Sequence, residues 1–410
     1  MPAGADPSAA GLARIEWADA QMPVLRSIRE RFASERPLAG VRVAACLHVT
    51  AETANLVRTL VAGGADAALA AANPLSTQDD VASALAEEAE VHGRRGEGVD
   101  AYLAHVTTLV ESGPQVTLDD GADLLALMHE RHPERLADML GGTEETTTGL
   151  LRLRALEAEG RLGCPVLAVN EAATERLFND HYGTGQSTLD GILRATNLLL
   201  AGRTIVVLGY GFTGKGVAMR ARGAGAQVIL CEIDPMRALE ARMEGFEVMP
   251  ALRAAERGDV FVTVTGSRDV LTTEHFARMK DGAVLANAGH FDIEIDLPAL
   301  REAATGGVHE ALPMVEQYDL GGRRLNLLAS GRVVNLAAGQ GHPAAVMDMS
   351  FANQALAVEH LVLHPGRLGP GVHPVPEAVD REVARLKLES LGVEIDALAD
   401  AQRDYLRSWT

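Results

Sequence analysis

A chain of 410 residues, 47% hydrophobic and 23% charged, is long enough for two buried cores and has the composition of a soluble globular protein. Its net charge of −19 repels nucleic acid and anionic membranes, and the three dispersed cysteines Cys46, Cys164 and Cys231 suggest neither a disulfide framework nor a metal cluster. No stretch approaches the about 20 continuous apolar residues of a membrane helix, and the start MPAGADPSAAGLARIEWADAQ is not a secretory signal. The expectation is a cytoplasmic protein with no nucleic-acid, membrane or metal partner.

Residues 1–12 read as a loose arm. Beyond them VRVAACL (41–47), DAALAA (66–71), QVTL (115–118) and PVLAV (165–169) read as buried strands separated by helical patterns, a first α/β unit. A helix from about Leu189 to Ala201-Gly202 leads into a second unit. Its strands are TIVVLGYG (204–211), QVILCEID (227–234), DVFVTVTG (259–266) and AVLANAGH (283–290). Such alternation predicts an α/β fold of two doubly wound parallel sheets. The Pro/Gly-rich passage 364–379 then separates the body from a charged helical tail.

The stretch Gly209-Tyr210-Gly211-Phe212-Thr213-Gly214 follows the apolar strand TIVVL and opens a segment of helical character. Glycines so placed permit a tight turn and let backbone N–H groups approach a pyrophosphate at a helix N-terminus. About twenty residues on, at the end of the next strand, stands Glu232, suited to accept from the ribose diol of NAD and to repel the extra phosphate of NADP. NAD is therefore the expected cofactor.

Polar clusters fall where the predicted strands end: His48-Val49-Thr50-Ala51-Glu52-Thr53, Asp119-Asp120-Gly121-Ala122-Asp123, Asn287-Ala288-Gly289-His290 and Asn335 through Pro343. A further one, Glu144-Glu145-Thr146-Thr147-Thr148-Gly149, is read as the beginning of a helix. Each alone has a bland explanation as a turn, a cap or a surface histidine. Together, in this order around this glycine loop, they resemble the adenosylhomocysteinases. The resemblance runs from LHVTAET through NPLSTQDDVA, DDGAD, EETTTG, GYGFTGKG, CEIDP and NAGHFDIEID to VNLAAGQGHP, closest to the compact form of that family.

The resemblance implies a substrate domain of residues 1–184 and 345–385, a Rossmann NAD-binding domain of residues 185–344, and an oligomerisation tail of residues 386–410. It implies tightly held NAD that oxidises a ribose 3′-hydroxyl so that the 4′-hydrogen becomes acidic and the 5′ substituent can leave. His48 and Asp120 match acid/base groups around the 4′ and 5′ carbons. Glu145 matches a ligand of the sugar hydroxyls, and His290 a histidine beside the reacting sugar. Thr146, Thr147, Thr148, Gly209, Gly211, Phe212, Thr213, Gly214, Glu232, Asn287 and Asn335 fall to the cofactor, and Thr50, Glu52 and His342 to the purine pocket. A carboxylate at Glu52 suits the exocyclic amino group of adenine. A homo-oligomer, dimer or tetramer, is implied as well.

One segment departs from the pattern. The family has a Lys three residues before a Phe-Asp-Asn; here Glu175 holds the Lys position and Phe178 is followed by Asn179-Asp180. The Lys and Asp of that motif bind the 3′-hydroxyl, so Glu175, Asn179 and Asp180 join the candidate catalytic residues. A one-residue shift that lets Asp180 stand in for the family's Asp is one expectation. Gly93-Arg94-Arg95-Gly96 and Tyr102-Leu103-Ala104-His105 also replace family patterns that carry Trp. The reading that follows is a diverged enzyme removing water from an adenine nucleoside, as in nucleoside-antibiotic biosynthesis. The alternatives are an ordinary S-adenosyl-L-homocysteine hydrolase and a non-catalytic NAD-binding regulator.

Overall fold

The computed structural model describes residues 7–289 and 292–409. The first unit contains β1 (Arg42–Leu47), β2 (Asp66–Ala71), β3 (Glu90–His92), β4 (Val116–Asp119), β5 (Gly141–Glu144) and β6 (Pro165–Ala168). The second contains β7 (Thr204–Leu208), β8 (Gln227–Cys231), β9 (Glu247–Val248), β10 (Val260–Thr263), β11 (Ala283–Asn287), β12 (Gly307–Leu312), β13 (Val315–Asp319) and β14 (Arg324–Leu328). The last strand, β15 (Gly371–Pro374), returns to the first sheet.

Strand order is β15-β6-β5-β4-β1-β2-β3 in the first sheet and β12-β13-β14-β11-β10-β7-β8-β9 in the second. Every pairing of the first sheet is parallel. The second is mixed, because β13 runs antiparallel to both β12 and β14. Among the parallel strands the order reverses between β4 and β1 in the first sheet and between β10 and β7 in the second. In open α/β sheets those crevices, outside the carboxyl ends of the strands, are where ligands bind.

The buried runs predicted to be strands are strands: DAALAA matches β2 in full, β4 is shifted by one residue to include Asp119, and the others are shorter than written, those of the second unit by three or more residues each. β1 and β4 contribute Val43, Leu47, Val116 and Leu118 to a core completed by Phe351, Ala355 and Leu356 of helix Ala344–Leu363. That helix lies after the second sheet in sequence yet fills the first core, so it can carry side chains into the first unit's site. Among the described residues no helix is long and apolar enough to cross a membrane.

Three expectations are corrected. The described part of the arm is helix Pro7–Asp19, with Gly11 so close to helix Asp79–Leu85 that a Cβ there would lie 1.9 Å from the Asp80 carbonyl oxygen. The Pro/Gly passage is no plain separator, since it contains β15. The helix expected near Leu189 begins at Gly185, continuous with a π-helix over Glu175–Thr184. Its wider turn is rare and recurs at functional sites.

The joint between the units is made of glycine. A Cβ on Gly216, in helix Phe212–Gly223, would lie 1.8 Å from the His181 carbonyl oxygen, and one on Gly185 would lie 2.5 Å from the Gly216 carbonyl carbon. The helix after the phosphate loop thus rests directly on the π-helical backbone. Gly216→Ala should force these helices apart and cost about 1–3 kcal/mol, read as a lower urea midpoint and faster NAD loss. An unchanged midpoint would show that the contact is looser than the backbone indicates.

Candidate active site

β1 and β4 end side by side and deliver His48 and Asp120. His48 Nδ1 lies 2.5 Å from Ser76 Oγ, and its Nε2 lies 3.3 Å from Asp120 Oδ2. Ser76 already donates its hydroxyl hydrogen to the Asn73 carbonyl at 2.9 Å, so His48 Nδ1 is the donor to Ser76. Nε2 then faces Asp120 as one lone pair against another unless a proton lies between them. The pair is built to hold and release that proton.

Glu144, at the end of β5, is fully buried and organises the neighbouring turns. Its Oε1 accepts from the backbone N–H groups of Gly121, Glu145 and Thr146 at 2.9, 3.1 and 2.9 Å, and from the Thr146 hydroxyl at 2.9 Å. It therefore fixes both the turn after Asp120 and the turn holding Glu145. The helix of the EETTTG motif starts only at Thr147, capped by Thr146, while Glu144 belongs to the strand. Glu145 receives the Ser350 hydroxyl at 2.8 Å from helix Ala344–Leu363. Burial, followed by the charge of Asp120, pushes the Glu145 carboxyl up to about 8.

The departing segment supplies the rest. Glu175 is 1% exposed, and Asn179 donates its amide to Glu175 Oε1. Glu175 Oε2 is buried without a hydrogen bond of good geometry, although the Ser350 hydroxyl lies close enough to favour the charged form slightly. Burial, then the negative charges of Glu145 and Asp180, raise Glu175 well above the usual carboxylate range. Asn179 Oδ1 lies 2.7 Å from His342 Nδ1, whose Nε2 lies 3.0 Å from Thr184 Oγ1 and 3.3 Å from Asn335 Nδ2. The residue paired with Glu175 is thus Asn179. Asp180 is half-buried, its carboxyl raised to about 7 by burial against the opposing charge of Arg176; its charge acts on Glu175, while the hydrogen bond to Glu175 comes from Asn179.

His342 consequently sits in the network around Glu175 as well as next to the loop 336–341. Its pKa falls to about 4, through burial and then the charge of His48. Thr50 caps helix Ala51–Ala62 and, with Ser76, Arg95, Leu336 and Gln340, lines a cavity of about 420 Å³ between the two units. Glu52 is half-buried in the first turn of the same helix, its carboxyl raised by burial. His105 contacts Glu97 at 3.3 Å, in the loop that carries Arg94 and Arg95. His290 lies outside the described residues.

The second crevice fits a dinucleotide. Gly209 has φ +111°, and its Cβ would lie 2.8 Å from the Val264 carbonyl oxygen; a Cβ on Gly214 would lie 2.1 Å from the Gly209 carbonyl oxygen. At Gly211 a Cβ would meet only Arg237 Nη1, at 3.9 Å, so the loop is tight at its ends and open at its centre. Phe212 and Thr213 begin the helix there. Glu232 accepts from the N–H groups of Tyr210, Ile233 and Asp234 at 2.7, 2.7 and 3.0 Å, which leaves lone-pair capacity for a ribose diol. Asn335 has a buried Oδ1 with no partner while its Nδ2 donates to Ser187 at 3.2 Å, an acceptor suited to a carboxamide.

Not every expected contact residue is free to touch a ligand. Thr147 donates its hydroxyl to Asn170 at 2.9 Å, and Thr148 is half-buried one residue further into the helix. Asn287 is fully buried, accepting from Thr263 at 3.0 Å and donating to the Gly331 carbonyl at 3.0 Å. It shapes the turn after β11 through its side chain. Ser76, Glu144 and Ser350 were not singled out from sequence. The first two stand inside motifs that were, but nothing local marks Ser350, which reaches Glu145 only through the return of its helix.

Comparison with known proteins agrees with this geometry. Residues 5–134 match the family model described as S-adenosyl-L-homocysteine hydrolase, and residues 180–341 match its NAD binding domain. The chain is 57% identical over 402 residues to the adenosylhomocysteinase of Aquifex aeolicus, covering 97% of this chain and 96% of that one. It is 52% identical to the S-inosyl-L-homocysteine hydrolase of Methanopyrus kandleri over 408 residues, covering 98% and 96%. A dipicolinate synthase chain from Bacillus halodurans, 13% identical with a TM-score of 0.53 over 80% of this chain and all of that one, shares the fold.

Glu145 gives the site a pH signature. Its carboxyl is raised from 4.5 to about 8 on folding, so its contribution to stability is present at acid pH and lost as pH rises through about 8. Glu145→Gln, neutral throughout, should unfold at higher urea than the parent at about pH 9, by about 1 kcal/mol or more. The difference should vanish near pH 4; an equal gain at both would rule out charge as its cause.

Proposed function

Since the chain belongs to the S-adenosyl-L-homocysteine hydrolase family, with NAD as its cofactor, we propose that it is a diverged member that removes water from an adenine nucleoside. Bound NAD supplies reversible oxidation of the ribose 3′-hydroxyl, which acidifies the 4′-hydrogen and makes elimination from the 5′ carbon feasible. Gly209, Gly211, Gly214, Glu232 and Asn335 hold it.

The chain's own residues then have separable tasks. His48 and Asp120, sharing one proton site at 3.3 Å, take up and return protons around the 4′ and 5′ carbons. Glu145 accepts from the sugar hydroxyls. Thr50 and Glu52 hold the purine, where an acceptor carboxylate favours adenine over a 6-oxo purine. Hydroxide is a poorer leaving group than a thiolate, so its departure requires a proton. His48 and the high-pKa acid Glu175 are the groups assigned to give one. In nucleoside-antibiotic biosynthesis such a step would yield an exocyclic alkene. The exposed Leu391, Ile395, Tyr405, Leu406 and Trp409 of the C-terminal segment support a homo-oligomer, dimer or tetramer.

The observation that carries the reading is the exchange of a cation for a buried acid: Glu175 stands where the family has Lys, held by an amide where the family has Asp. The second reading, ordinary hydrolysis of S-adenosyl-L-homocysteine, draws on the 57% identity to an adenosylhomocysteinase. Protein with its NAD quantified would be offered S-adenosyl-L-homocysteine, adenosine and a ketose adenine nucleoside separately. Loss of one water from the ketose nucleoside, seen by mass spectrometry, is expected. Release of homocysteine thiol instead establishes the second reading, and no turnover of any of them points to a regulator.

A paired substitution separates the two further. Glu175→Lys alone sets an ammonium against the Asn179 amide, donor against donor. Glu175→Lys with Asn179→Asp restores donor to acceptor. Thiol release from S-adenosyl-L-homocysteine should rise at least about tenfold in the double variant over the single one, the coupling of contacting residues. Equal rates would make the two positions independent.

A further inference from the structure

Three features lie outside the roles just assigned. The polar cavity of about 510 Å³ lined by Glu16, Asp19, Arg26, Arg29 and Arg58 has wall charges that pair with one another, as Arg29 with Asp19 at 2.7 Å. The imidazoles of His92 and His105, with ring centroids 5.5 Å apart, contact Glu90 and Glu97 at 2.6 and 3.3 Å, and among the described residues no group of three such side chains could hold a metal ion. The third feature, the hydrogen-bond chain leading away from Glu175, carries an assignment.

Its members come from two stretches far apart in the sequence, 175–187 and 335–342. Ser187 accepts from Asn335 Nδ2 at 3.2 Å; the same nitrogen lies 3.3 Å from His342 Nε2, which also meets Thr184 Oγ1 at 3.0 Å. His342 Nδ1 meets Asn179 Oδ1 at 2.7 Å, and Asn179 Nδ2 donates to Glu175 Oε1. An amide NH₂ only donates, so Asn335 defines His342 Nε2 as an acceptor. The neutral ring then has its single hydrogen on Nδ1, which donates to the Asn179 carbonyl and turns the Asn179 NH₂ toward Glu175. With Oε1 occupied as an acceptor, the acid's hydrogen is left to Oε2, the buried oxygen without a hydrogen bond of good geometry.

We propose that His342, held as the Nδ1–H tautomer by Asn335, is a positioning residue that orients Asn179 and thereby keeps the proton of Glu175 on Oε2, ready for the substrate. This deepens the dehydration reading and rests on it for the role of Glu175. The same chain ties that proton to the cofactor crevice, because Asn335 presents its remaining oxygen there. A carboxamide donating to Asn335 Oδ1 fixes the direction of every hydrogen bond beyond it. Burial supports the scheme by keeping His342 neutral down to about pH 4.

Nitrogen-15 NMR of histidine-labelled enzyme with NAD bound reads the tautomer directly, the His342 signals being assigned by their loss in His342→Gln. A neutral ring protonated on Nδ1 is expected; a proton on Nε2 overturns the proposal whatever the substrate proves to be. The kinetic arm follows loss of water from the ketose adenine nucleoside by mass spectrometry, the step that consumes the Glu175 proton. His342→Leu should slow that loss about a hundredfold, with KM within about twofold and bound NAD unchanged, the split expected of a positioning defect. His342→Gln, whose amide also donates on one side and accepts on the other, should recover all but about tenfold. Parental water loss in His342→Leu overturns the relay. Failure of the ketose nucleoside to lose water, with the Nδ1 tautomer intact, overturns the dehydration reading alone.

Discussion

A carboxyl group that is 1% exposed, with acids as its nearest charges, cannot remain a carboxylate at little cost, because transfer from water to such a place penalises the charged form by several kcal/mol. Glu175 meets that constraint in two ways: its pKa rises, and one oxygen receives an amide donor from Asn179. The contact of residues 175 and 179 is the i, i+4 spacing of any helix. The π-helical distortion runs on from it to Thr184, which lies 3.0 Å from His342 Nε2.

That distortion is held from the outside. Gly216 lets the cofactor helix lie against the His181 carbonyl, and Gly185 lies against the Gly216 backbone. The two units thus meet through main chain at the point where the acid is positioned. Helix Ala344–Leu363 closes the arrangement from the other side, filling the first core and presenting Ser350 to Glu145. Its buried Asp348 accepts from the Leu25 N–H at 2.9 Å and from Lys387 at 2.8 Å, so three distant segments converge behind the active site.

Much of this was legible in the residues, and the gaps have physical causes. Buried parallel strands announce themselves as apolar runs, which is why β1, β4, β7 and β10 were found. β12 is exposed along its whole length and β15 is set in a Pro/Gly passage, so neither carries that signal. The phosphate loop could be read because its glycines have a stereochemical purpose. The partner of Glu175 could not be settled, since whether Asn179 or Asp180 faces it depends on helical pitch. His342 was assigned by likeness to the purine pocket, and only the fold brings Asn179 and Asn335 to its two nitrogens.

Exchanging an ammonium for a carboxylic acid inverts what the site can offer. Lys has donors and no acceptor, and stays charged unless desolvation lowers its pKa. A protonated Glu donates from one oxygen and accepts at the other, without adding charge to a pocket already holding Asp120 and Glu145. The neighbour matters as well: an Asp beside Glu175 would take up the acid's hydrogen and add a charge, whereas Asn supplies a donor and leaves that hydrogen uncommitted. The amide also has an acceptor side, which His342 occupies, so the exchange extends one residue further without disturbing the histidine. On the proposed reading, altered chemistry on an unaltered fold requires that donors and acceptors match at each step from Asn335 to Glu175, and they do.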